Sequence, residues 1–115
     1  MLERKRRLTK NGSFVYMYKN GKKINGTNLY INYLPTNAKL NRFGFVVSNK
    51  IGKANVRNLV KRRLRAIVRK YIAKISKKNN YIIVAKEAIA QLSYLDLEKE
   101  VLNLFEKGGF LGENN

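Results

Sequence analysis

The stretch NVRNLVKRRLRAIVRKY, residues 55–71, holds seven Lys or Arg and no acidic residue. Its apolar positions Val56, Val60, Leu64, Ile67 and Tyr71, continued by Ile75, recur at steps of three and four. That is the period of an amphipathic α-helix with one buried face, so the longest helix of the chain is predicted over 54 to about 76. Most helical stability comes from packing that apolar face on other elements. The flanking segments must supply the surface.

Upstream, TNLYINYL (27–34) and RFGFVVS (42–48) are rich in aromatic and β-branched residues, and the turn-forming PTNAKLN (35–41) between them reads as a hairpin loop. KKING (22–26) reads as a further short edge strand. Before these, a helix over about 12–19 is capped by Asn11 and stopped at Asn20-Gly21, which places Phe14 and Tyr18 on one face. Downstream, NNYIIVAK (79–86) fits a buried strand. YLDLEKEVLNLFEKGG (94–109) fits a last helix built on Leu95, Val101 or Leu102, and Phe105, closed by Gly108. The order is α-β-β-α-β-α, with one more strand if KKING pairs. No repeat or boundary interrupts it, and residues 1–115 are expected to form a single α+β domain.

With 115 residues, 44% of them hydrophobic, and 7 Tyr and 5 Phe, the chain can bury a modest core. It has no Cys and no His, which excludes disulfides and removes the usual zinc ligands, so no metal or cofactor is expected on the protein itself. No run approaches the roughly 20 apolar residues that span a bilayer, and a soluble, cytoplasmic protein is expected. The formal charge is +18, and 23 of the 25 basic residues lie between 4 and 86, where no carboxylate occurs. Such self-repulsion calls for a polyanionic partner. Nucleic acid fits better than a lipid surface, because a membrane-bound helix buries in lipid the face that here belongs to the core.

On the long helix Arg57, Lys61, Arg65 and Arg69 are spaced by four and form one slowly drifting stripe, widened by Asn58 and Arg62. Like charges at that spacing destabilise a helix, so the stripe needs compensation from outside the fold. Its preference for Arg suits bidentate phosphate contact. Lys50, Gly52 and Lys53 extend the same surface at the helix N-terminus, where N–H groups and the dipole favour an anion. A second constellation is aromatic: Phe14 and Tyr18, with Tyr30 and Tyr33 on a strand, can stack unpaired bases or fill the core. Strand alternation sets Tyr30 and Asn32 apart from Leu29, Ile31 and Tyr33 and implies a polar cleft. Without His or Cys, and with Asp96, Glu98, Glu100 and Glu106 read as the solvated face of the last helix, no catalytic residue is expected in the protein.

The segment SNKIGKANVRNLVKRRLR, residues 48–65, resembles the signature of the bacterial ribonuclease P protein subunit: Arg57-Asn58, then Lys61-Arg62 and Arg65, framed by Ser48, Lys50, Gly52 and Ala54. RRLTKNGSFVYMYKNGK (6–22) and NNYIIVAKEAIAQLSYLDLEKEVLNLF (79–105) are similar to that family's opening and closing segments. The resemblance implies an α/β sandwich of the ribosomal-protein S5 domain 2-like kind with a left-handed β-α-β crossover. It also implies an RNA-binding subunit that helps a catalytic RNA, using magnesium held by that RNA, remove the 5′ leader of precursor tRNA. By the same resemblance Lys50, Lys53, Arg57, Asn58, Lys61, Arg62, Arg65 and Arg69 would meet the catalytic RNA, and a cleft with Phe14, Tyr18, Tyr30 and Asn32 would take the leader. The family often carries an aromatic residue where this chain has Asn32. Neither DNA nor a membrane is expected as a partner. The alternative is a ribosomal or general RNA-binding protein of similar fold.

Overall fold

In the computed structural model the long amphipathic segment forms a helix that begins at Ala54 as predicted and ends at Tyr71. The structure describes residues 4–8, 11–76 and 78–112, the side chain of Asn11 excepted, so the cap expected from Asn11 and the charges of Glu3 and Glu113 lie outside the described residues. The elements are α1 (Asn11–Asn20), β1 (Lys22–Asn25), β2 (Leu29–Pro35), β3 (Arg42–Val46), α2 (Ala54–Tyr71), β4 (Asn79–Ala85) and α3 (Tyr94–Gly108). KKING does form a strand. Beyond Tyr71 the chain tightens into a 3-10 turn over Ile72–Lys74. Ile75 then bridges to Leu111, buried in extended backbone rather than on the helix.

The sheet order is β1-β2-β4-β3, with β1–β2 and β2–β4 antiparallel and β3–β4 parallel. The predicted β2–β3 hairpin is therefore absent. β4 lies between the two strands, and residues 36–41 carry the chain to the far edge. Parallel neighbours need a long crossover, and α2 supplies it between β3 and β4. The hairpin that does form is β1–β2, closed by the Gly26 N–H donating to the Leu29 carbonyl at 2.8 Å.

Strand alternation gives each sheet face its own core. On one face Leu29, Ile31, Phe43, Tyr81 and Ile83 pack against Val60, Leu64, Ile67 and Val68 of α2 and Leu97, Val101, Leu104 and Phe105 of α3. Phe43 stacks on Tyr81 at 4.9 Å, and Phe110 meets Tyr81 and Tyr33 edge-on at 4.9 and 4.8 Å. Tyr33 thus belongs to the core and not to a cleft. On the other face Ile82 meets Leu8 and Met17, with Phe14, Leu34, Val46 and Val84 partly buried around them.

The last helix differs in detail from its predicted form. Leu95 is 59% exposed, and the buried face runs through Leu97, Val101, Leu104 and Phe105. Ser93 Oγ caps the start by accepting from the Asp96 N–H at 3.1 Å. The stop is Gly109, at φ 69°, not Gly108: the N–H groups of Gly109 and Phe110 donate to the carbonyls of Glu106 and Phe105, both at 3.0 Å.

Candidate nucleic-acid interface

Since α2 packs through Val60, Leu64, Ile67 and Val68, its basic residues divide into two flanks. On one flank the cations are used internally. Arg63 Nη1 donates to the Leu92 carbonyl at 3.1 Å, and Lys70 Nζ meets Glu98 Oε2 at 2.8 Å, with the Tyr71 hydroxyl donating to the same oxygen. These contacts tie α2 to α3 and to the chain just before it. Hydrogen bonds from Lys70 and then Tyr71 hold the Glu98 carboxyl below its ordinary pKa. Glu100, in turn, accepts from the backbone N–H and the side-chain amide of Asn28 at 2.7 and 2.8 Å. Glu98 and Glu100 are therefore structural partners rather than part of a merely solvated face, which corrects the sequence-based expectation.

The opposite flank carries Arg57, Asn58, Lys61, Arg62, Arg65 and Arg69, and among the described residues none of its cations forms an ion pair. Asn58, Arg62 and Arg69 are exposed, while Arg57, Lys61 and Arg65 are partly buried along the helix edge. Arg65 lies over the Phe45 ring at 5.9 Å, and its Nε is buried without a hydrogen-bond partner. Arg57 Nε donates to the Gly52 carbonyl at 3.1 Å, which fixes the loop before the helix. There Lys50 and Lys53 are both exposed, and Lys53, the residue before α2, supplies no side-chain cap. Gly52 adopts φ 155°, ψ −168°, a region open essentially to glycine alone.

The aromatic group lies on the other face of the sheet. Met17, 2% exposed, anchors α1 there. Phe14 is partly buried with its ring directly over Gly44, where any side chain on the strand would collide with it. Tyr18 is 45% exposed, and partial burial together with neighbouring Tyr30 raises its hydroxyl pKa. Tyr30 is half-buried with Lys23 Nζ 4.4 Å from its ring centre. Asn32 shares this face, as alternation predicts, but is only 5% exposed; Gly21 lies against its Oδ1, which has no hydrogen-bond partner. Phe14, Tyr18 and Tyr30 are thus brought to one face, with Asn32 beneath α1. Sequence reasoning missed Gly44 and Lys23. A glycine inside a strand pattern signals close approach and could have revealed the first.

Among the described residues no group of three or more Asp, Glu, His or Cys is placed to hold a metal ion. No described helix is long and apolar enough to cross a membrane. The arrangement offers cations without ion pairs among the described residues on one side and partly exposed rings on another.

The family model for ribonuclease P matches residues 2–109. The ribonuclease P protein component of Syntrophomonas wolfei is 35% identical over 114 residues, covering 99% of this chain and 96% of that protein. That of Fusobacterium nucleatum is 40% identical over 103 residues, covering 86% and 93%. Among solved structures, a Staphylococcus aureus RNase P protein superposes with a TM-score of 0.87 at 21% identity, covering 93% of this chain and 98% of that one. The Thermotoga maritima RNase P protein gives 0.81 at 25% identity, covering 88% and 96%.

Proposed function

The chain belongs to the ribonuclease P protein family, and from that premise we propose that it is the RNA-binding subunit that helps a catalytic RNA remove the 5′ leader of precursor tRNA in the cytoplasm. The catalytic RNA performs the cleavage with its own magnesium ions, and the protein contributes contacts. The outward flank of α2, with Lys50 and Lys53 at its head, engages that RNA's phosphates. The face bearing Phe14, Tyr18 and Tyr30, with Asn32 in its floor, takes the unpaired leader.

One observation carries this reading: α2 bonds Arg63 and Lys70 on one flank to the Leu92 carbonyl and Glu98, and leaves Arg57, Lys61, Arg62 and Arg65 on the other without a carboxylate among the described residues. Each duplex phosphate that a protein no longer neutralises lowers the slope of log affinity against log salt by about 0.9. Replacing those four residues with Gln is expected to weaken binding to a ribonuclease P RNA and flatten its salt dependence. Arg63→Gln and Lys70→Gln should instead lower the melting temperature and leave the slope unchanged. An unchanged slope in the fourfold variant would show that this flank is only a solvated helix face.

A further inference from the structure

At the C-terminal end of α2 the molecule has a third basic feature, outside both the α2 flank and the aromatic face. A pocket of about 230 Å³ opens between three separate segments, lined by Arg6 of the N-terminal turn, Lys39 and Asn41 of the β2–β3 connector, and Ser76 and Lys78 of the α2–β4 connector. The segments are held in place by their own bonds. Asn41, 8% exposed, donates from Nδ2 to the Ile75 carbonyl at 3.5 Å and accepts at Oδ1 from the Asn79 N–H at 3.2 Å. The Thr36 N–H donates to the Lys78 carbonyl at 3.1 Å, and the Ser76 N–H to the Phe110 carbonyl at 2.9 Å.

Among the described residues no carboxylate lines this pocket. Cations near a helix C-terminus complement its dipole, which accounts for Arg69 and Lys70 in the last turn of α2. It does not account for Arg6, Lys39 and Lys78, which arrive on other segments and donate no hydrogen bond to a carbonyl among the described residues. Three cations around a fixed concavity repel one another until an anion enters. The 18 residues of α2 put this pocket roughly 27 Å from Lys53 at about 1.5 Å per residue, too far to share a phosphate with the head of the helix.

We propose that this pocket is a second phosphate site, which holds a backbone phosphodiester of RNA at the opposite pole of the molecule from Lys50 and Lys53. The inference rests on the function proposed above and gives the protein two separated backbone contacts along α2. The phosphate can belong to the catalytic RNA or to the precursor's leader. The test is the double variant Lys39→Ala/Lys78→Ala, both exposed positions, beside the charge-preserving Lys39→Arg/Lys78→Arg. Affinity for a ribonuclease P RNA is measured across a salt series. Affinities of the assembled holoenzyme for precursor and mature tRNA are then compared, with a thermal melt as control.

If the catalytic RNA supplies the phosphate, the alanine variant binds that RNA with a slope lower by about 0.9 for each phosphate left without its cation, and the arginine variant keeps it. If the leader supplies it, the slope stays and only precursor binding falls. Unchanged values in both arms, at an unchanged melting temperature, would overturn the inference and leave the proposed function standing. Failure of the wild-type protein to bind the RNA at all would overturn both.

Discussion

Phe14 and Tyr18 share one face of α1 but are held differently. Phe14 lies over Gly44 and packs with the small core beneath α1, whereas Tyr18 is 45% exposed. Tyr18→Ala should therefore weaken holoenzyme binding to precursor relative to mature tRNA by about 1–3 kcal/mol, the range for one stacked base, with the melting temperature unchanged. Phe14→Ala should lower both, because its ring is core as well as surface; affinities for the two tRNAs beside a thermal melt separate the cases. The sequence shows the spacing of these rings but not that division, which depends on a glycine in β3. Gly52 has a similar hidden constraint. Its φ of 155° excludes other residues, and an added Cβ would press on Val56 at 3.2 Å. Gly52→Ala should destabilise the chain by about 1–3 kcal/mol in chemical denaturation, the range for one residue forced into a sparsely populated backbone region.

Among the elements, α2 was legible because 3.6-residue periodicity is local: its buried and basic positions follow from spacing alone. Strand pairing was not. PTNAKLN has the composition of a hairpin loop, yet β4, more than thirty residues downstream, occupies the place beside β2. Nothing local in a turn announces a partner that far away. In α3 Val101 and Phe105 are buried as predicted but Leu95 is not, since Leu95, Leu97, Leu102 and Leu104 offer competing faces, and burial against α2 and the sheet selects Leu97 and Leu104. The same helix–helix contact gives α3 its pH response. Bonded to Lys70 and Tyr71, Glu98 has a lowered pKa, so its contribution is complete above the ordinary carboxylate pKa and is lost as pH falls through the depressed one. Glu98→Gln should flatten the acid limb of a stability–pH profile. Burial pushes the Tyr81 hydroxyl up to about 12, and the sign reverses: stability is complete below the ordinary tyrosine value and lost as pH rises through about 12. Tyr81→Phe should reduce that alkaline loss in the same profile.

For the molecule as a whole, charge is the organising quantity. Every described carboxylate lies at residue 87 or beyond, while the basic residues cover α2, both connectors at its far end and the N-terminal turn. Composition pointed to a polyanionic partner, and the signature at 48–65 pointed to the ribonuclease P protein family, to which the chain belongs. What the sequence could not show was how α2 divides its cations between internal pairing and an open flank. The most direct test is leader release from a precursor tRNA, followed at low salt with magnesium for a ribonuclease P RNA alone, this protein alone, and the two together. The protein alone should cleave nothing, the pair should release the leader faster than the RNA alone, and replacing Arg57, Lys61, Arg62 and Arg65 should remove that gain. Cleavage by the nuclease-free protein alone, or a pair no faster than the RNA, would contradict it.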